Sequence, residues 1–299
     1  LLFQVVMFFS LLGIGGEMIR YGLDRTFGSG YLFSSLLTFA TFMVLLIYML
    51  YHAAAAVVAP AGTNRMLPVR VASTVLWLVT LLMCGYWSVV SASSEIFVVW
   101  GFLSSYVLSM ACLIAVSERD FLTERVIREI PKGFVWSRMA FLFFSGAAGG
   151  LAWILIMQIL TFFIALVAAG SPTSGYVHTR GMMSDYMLYS GSFYCYLLGY
   201  SLLAAFIRRI FLVEQIDIRN TWVVALLTCA VFSIVPILAG GVIGLDSETL
   251  LIANPLYVTA VRRSDSVLLF AAMLAVIGLV INLPWLSRQF KDYYSEMDY

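Results

Sequence analysis

Long apolar blocks alternate with short polar spacers along this chain. A hydrocarbon core of roughly 30 Å is crossed by about 20 apolar residues in helical form. Eight blocks read as spans: residues 1–16, 31–59, 71–91, 96–116, 139–169, 187–207, 222–243 and 267–287. The pattern predicts an all-α, polytopic transmembrane bundle. The second and fifth blocks exceed a single crossing, so tilt or an interfacial extension is expected. The third and fourth are joined only by SASSE and form an antiparallel hairpin. The first block opens LLFQVVMFF, without Met at its first position, basic n-region or small-residue cleavage site, and does not read as a signal peptide. It is read as truncated, the expectation being that the chain starts partway through a longer protein or after processing.

Charge turns the spans into a topology. All 17 Lys and Arg lie in spacers or at span ends. Alternation puts Arg65, Arg70, Arg119, Arg125, Arg128, Lys132, Arg138, Arg208, Arg209, Arg219, Arg288 and Lys291 on one side, and Arg20, Arg25, Arg180, Arg262 and Arg263 on the other. Loops rich in Lys and Arg stay cytoplasmic, so the first side, with the C-terminal tail, is expected inside. An odd number of spans would scramble this split. Trp136, Trp222 and Trp285 are expected near inner span ends and Trp87 and Trp100 near outer ones, with Trp77 and Trp153 deeper as packing residues.

Composition agrees with a bilayer and excludes several chemistries. The 299 residues are 62% hydrophobic and 11% charged, against roughly 25% charged in a soluble domain. A net charge of +1 gives no reason to expect a nucleic-acid partner. Cys84, Cys112, Cys195 and Cys229 stand singly in apolar runs, without metal-ligand spacing. Ion-coupled carriers usually place ionisable residues at membrane depth, and these spans nearly lack them. Glu95 falls in the outer hairpin turn, His52 towards an inner helix end, and Gln158 is the deepest strongly polar side chain, read as an inter-helix hydrogen-bonding group. Ser145-Gly146 and Ser190-Gly191 lack the G-x-S-x-G context of a serine hydrolase, and two histidines are too few for a bis-His haem. No catalytic, cofactor or metal residues are assigned.

Small residues mark two further places. Gly146 and Gly150 in SGAAGG stand at small-xxx-small spacing, which lets a neighbouring helix approach. Pro236, with Gly240 and Gly241 a turn later, is expected to kink or break the seventh span.

Two loops carry the most information. Residues 117–138 read SERDFLTERVIREIPKGFVWSR; Leu122, Val126 and Ile130 recur at i, i+4, i+8, among Glu118, Arg119, Asp120, Glu124, Arg125, Arg128 and Glu129. This predicts an amphipathic inner-side helix of about three turns, stopped by Pro131, lying in the interface or against a partner. The outer segment from Gly244 to Ser266 includes GLDSETLLIANPLYVTAVRRS. Each half around Asn254-Pro255 is too short to cross, so a re-entrant or surface hairpin anchored by Arg262-Arg263 is expected.

An outer Asn-Pro-Leu-Tyr segment before the last span, together with a charged inner loop beginning Ser117-Glu118-Arg119, resembles ABC transporter permeases of the type-2 exporter class. The resemblance covers roughly residues 70–290 and rests on order and sidedness. The text FLTERVIREIPK departs from the family's usual run after Glu-Arg. The resemblance implies a six-helix core over 70–291, preceded by two spans in 1–69 and followed by a tail over 292–299. It implies a bacterial inner-membrane permease that exports an unidentified substrate; separately, the apolar interior suits a lipid-like or amphipathic cargo better than an ion. Glu118, Arg119, Leu122, Val126 and Ile130 would form a coupling helix, and Asn254, Pro255 and Arg262 an outer re-entrant segment. No G-x-x-x-x-G-K-[ST] loop is present, so the energy would come from a separate ATP-binding cassette subunit, with no cofactor of the chain's own. Pairing with a second permease half, as homo- or heterodimer, is a further implication. Two other readings stay open: a non-catalytic subunit of a larger membrane complex, and a membrane-embedded enzyme using Asp185, Asp246 and Glu248.

Overall fold

A computed structural model describes residues 29–59, 63–91, 95–118, 123–131, 133–169, 176–212, 215–243, 254 and 264–295. Nine α-helices lie among these residues: α1 (Ser29–Val58), α2 (Met66–Ser91), α3 (Glu95–Ala115), α4 (Glu124–Arg128), α5 (Phe134–Phe143), α6 (Ala147–Ala169), α7 (Tyr176–Phe211), α8 (Thr221–Ile243) and α9 (Ser264–Ser295). A 3₁₀ turn, Ile218–Asn220, leads into α8. The described residues contain no strand. Seven of the helices (all but α4 and α5) are long and apolar enough to cross a membrane. Such a chain is an integral membrane protein, because helices satisfy every backbone amide internally where no water can. The expected first span, 1–16, lies outside the described residues.

Two compact units are present. The first holds α1 and α2 as far as Val90; in it Trp87 donates its indole N–H to Thr38 Oγ1 at 3.2 Å. The division expected after residue 69 follows span order, whereas compactness groups α2 with α1.

The second unit holds Asn64 and the described residues from Ser91 onward. Its centre is α7, which packs against α3, α6, α8 and α9, while α3 also lies along α6. The arrangement inverts that of a soluble globule. The crossing stretch of α7 has the lowest mean hydropathy of the seven and the largest buried share, whereas the more apolar α6 and α9 turn much of their surface outward. Tyr186, Tyr196, Tyr200, Ser190, Ser192 and Ser201 of α7 are buried. Tyr196 and Tyr200 pack with Val267 and Ala271 of α9, and Tyr186 with Val98 and Ala165. Ala204 packs beside Leu113, Val224 and Ala225.

Small residues set how closely these helices approach. A Cβ added at Gly199 would stand 2.7 Å from Leu274 Cγ and 3.1 Å from the Ala275 amide nitrogen. At Gly278 it would stand 3.1 Å from Leu202 Cβ, and at Gly101 3.0 Å from the Tyr186 ring. The α7–α9 contact therefore runs through backbone at Gly199 and Gly278. Gly146, expected to serve helix packing, precedes α6, and a Cβ there would meet nothing within 4 Å. Its partner in that spacing, Gly150, is buried within α6.

Several expectations are corrected. The block 139–169 is not one helix: Phe144 leaves helical geometry at φ −77°, ψ 156°, and Ser145-Gly146 separates α5 from α6. The three-turn helix over 117–130 is, among described residues, only Glu124–Arg128. Pro236 does not end α8, which continues to Ile243, and α9 likewise runs through Pro284. Trp100 and Trp285 are buried in the chain rather than laid out in a headgroup belt, and Trp153 is buried as expected.

Gly199→Ala should destabilise the protein by about 1–3 kcal/mol, the cost of overpacking a tight contact. Gly191→Ala, whose Cβ would make only ordinary contacts at 3.7 and 3.9 Å, should not. Thermal unfolding of the two variants in detergent checks the pair.

Candidate functional site

The break before α6 creates a chemical problem at one end of the second unit. The first amides of a helix have no partner within it, and burying them without an acceptor is costly. Three separate stretches of chain supply acceptors. Ser145 donates both its amide and its hydroxyl to Asn64 Oδ1, each at 3.1 Å. The Gly146 amide donates to Glu118 Oε2 at 2.7 Å. The Ala148 amide donates to Gln289 Oε1 at 2.9 Å. Glu118 is buried, and its carboxylate faces the positive end of the α6 dipole, which favours the charge.

Around this cap the neighbouring segments are tied together. Tyr293 donates its hydroxyl to the Ser137 carbonyl at 2.9 Å. The Phe141 ring of α5 sits 5.3 Å from Phe290 and 5.2 Å from Tyr293. The Trp222 amide, opening α8, donates to Ser117 Oγ at 2.8 Å. Asn64, Glu118, Ser145, Trp222 and Gln289 thus share one end of the unit, as the alternation of spans requires.

The short α4 lies on the connection between α3 and α5. Val126 of α4 and Ile130 just after it turn into the protein, being 3% and 8% exposed. Arg125, Arg128 and Glu129 are exposed, with Arg125 Nε 3.8 Å from Glu129 Oε1. Val126 and Ile130, part of the stripe expected in the interface or against a partner, are therefore covered by the chain itself, and the outward face is the charged one. Arg119 and Leu122, the other expected members, lie outside the described residues.

A second, neutral polar group sits in the bundle interior. Gln158, 1% exposed, donates to Ser105 Oγ at 2.9 Å. The Ser105 and Tyr186 hydroxyls are 3.1 Å apart. Ser109 and Thr161 return their hydroxyls to their own helices, to the carbonyls of Ser105 and Met157. This joins α3, α6 and α7 through hydrogen bonds at membrane depth, with Gln158 in the role its position suggested.

The remaining expected residues divide. Asn254 is buried, while Pro255 and Arg262 lie outside the described residues. Asp185 is exposed, and Asp246 and Glu248 lie outside. His52 meets Tyr48 and Tyr51 edge-on, at 4.4 and 5.4 Å between ring centroids. All four cysteines are free thiols. No group of His, Cys, Asp and Glu suited to a metal occurs among the described residues. Asn64 and Gln289 went unnoticed in sequence because both act across long separations. No protein-family profile, curated protein or solved structure matches the chain.

Glu118→Ala should cost about 1–3 kcal/mol, the penalty for a buried donor left without its acceptor. Glu118→Gln, which keeps an acceptor oxygen, should recover part of it. Denaturant unfolding in detergent distinguishes the two. Val126→Asp with Ile130→Asp should lower folding yield, because both carboxylates would enter the core; size-exclusion chromatography of the double variant reads this directly.

Proposed function

We propose that this chain is the membrane-spanning permease subunit of an ATP-driven exporter of the ABC type. It would reside in a bacterial inner membrane with its arginine-rich end and C-terminus in the cytoplasm. The carrying observation is the connection between α3 and α6. A charged, outward-facing α4 is anchored by Val126 and Ile130, and the same connection holds the start of α6 through Glu118 and Gly146. A separate ATP-binding subunit docking on Arg125, Arg128 and Glu129 would pull on α6 through that path. The departure from expectation is chemical: the partner would read charge, and the apolar stripe would transmit movement into the bundle.

The interior supports a reading of the cargo. The buried polar groups joining α3, α6 and α7 are neutral hydroxyls and an amide, which suits a lipid-like or amphipathic molecule better than a bare ion. A membrane-complex subunit is the alternative, favoured by α1, whose apolar window is only 6% buried and leaves much surface for other helices or lipid.

Arg125→Glu combined with Arg128→Glu should cut recovery of a co-expressed ATP-binding subunit by about tenfold, the result of a charge mismatch across a docking face. The unfolding temperature should not change, since both side chains are exposed. Undiminished recovery with a folded variant would remove the coupling role.

A further inference from the structure

The close approach of α7 and α9 leaves a crevice beside it. Where Gly199 and Gly278 bring the backbones together, the flanking side chains cannot close the gap, and Leu203, Phe206, Leu274, Ile277, Ile281 and Asn282 line it. Leu274 to Asn282 is about 12 Å of helix at 1.5 Å per residue. The wall opens outward, with Ile277 54% and Ile281 38% exposed, on helices that cross the bilayer.

The crevice wall is apolar, and about one helical turn beyond it Arg209 of α7 meets Asn282 and Trp285 of α9. Asn282 is fully buried and donates to the carbonyls of Leu202 and Gly278 at 3.0 and 2.8 Å. That fixes its Oδ1, which accepts a hydrogen bond from Arg209 Nη2. The guanidinium carbon lies 4.5 Å from the centroid of the Trp285 ring. Trp285 is itself more than nine-tenths buried, and its indole N–H has no acceptor among the described residues. Arg208 is adjacent in sequence, and Arg288, one turn beyond Trp285, is paired with Asp292 at 3.8 Å.

The geometry points to a site for one anionic phospholipid between α7 and α9. An acyl chain lies along the apolar crevice, and the headgroup phosphate is held by Arg209, whose guanidinium stacks on the Trp285 ring. The two halves of the site ask for the two halves of such a molecule. An apolar slot alone would take any lipid tail; the arginine beyond it selects a negative headgroup, as basic pockets between membrane helices do. A free phosphate would satisfy the arginine but leave the crevice unfilled. The site depends only on the α7–α9 pair lying in a bilayer, so it stands apart from the permease reading.

Native mass spectrometry of the full chain, titrated with dioleoylphosphatidylglycerol or dioleoylphosphatidylcholine, tests it. The first phosphatidylglycerol should bind about fivefold more tightly than phosphatidylcholine, the size of one arginine's contribution. Arg209→Gln should abolish that preference and Arg209→Lys should keep much of it. Ile277→Trp, at an outward-facing position, fills the crevice without touching the charge and should weaken binding of the first phosphatidylglycerol. Unfolding temperatures identify any variant that fails to fold, and Ile277→Trp and Arg209→Lys leave the Asn282 anchor in place. Equal affinity for the two lipids in the unaltered protein would overturn the site. So would a preference that survives in folded Arg209→Gln, or inorganic phosphate alone stabilising the protein as much as phosphatidylglycerol does.

Discussion

A helix that begins among other helices must find acceptors for its first amides. At the start of α6 that requirement recruits Asn64, Glu118 and Gln289 from positions far apart in the chain. Much of the surrounding architecture follows. Asn64 joins Ser145 within the second unit; Glu118 fixes where the chain leaves α3; Gln289 orients the end of α9, whose Phe290 and Tyr293 then receive α5. A carboxylate suits the central place because the helix dipole stabilises it, and a neutral acceptor lacks that advantage. The cap is thus both a local repair and the knot that holds three connections together.

The second organising feature is the polarity of α7. Tyrosine and serine cost too much facing lipid tails, yet they pack and hydrogen-bond well against other helices. The helix carrying them therefore sits in the centre, and the most apolar helices take the outside. Glycines at 199 and 278 then allow backbone contact where the rings of Tyr196 and Tyr200 already fill the adjoining layer.

The spans were legible in the sequence because a bilayer demands uninterrupted apolar length, which a one-dimensional scan reads well. The break before α6 was not, since FLFFSGAAGG keeps its apolar character through the turn; Ser145-Gly146 read as a packing motif, although the same pair also marks a helix boundary. The stripe of Val126 and Ile130 pointed to an amphipathic helix, of which only Glu124–Arg128 forms among the described residues. Periodicity fixes a face, but what covers that face is a tertiary fact, and here it is the chain's own core. Gln158 was legible because a lone amide in a long apolar run has few other uses. The caps and the Arg209–Asn282 contact join residues 28 to 141 positions apart, beyond any local pattern.

The burial of α7 also bears on how the protein is made. A segment containing Tyr, Ser and two consecutive arginines gains less from entering lipid than its neighbours do, so its stable residence depends on partners. Two of them, α8 and α9, are synthesised after it. Unless α3 and α6 already hold it, this helix waits at the edge of the membrane for the C-terminal third of the chain. Biogenesis is then cooperative and late, and a defect in α9 would be felt first as mis-inserted α7.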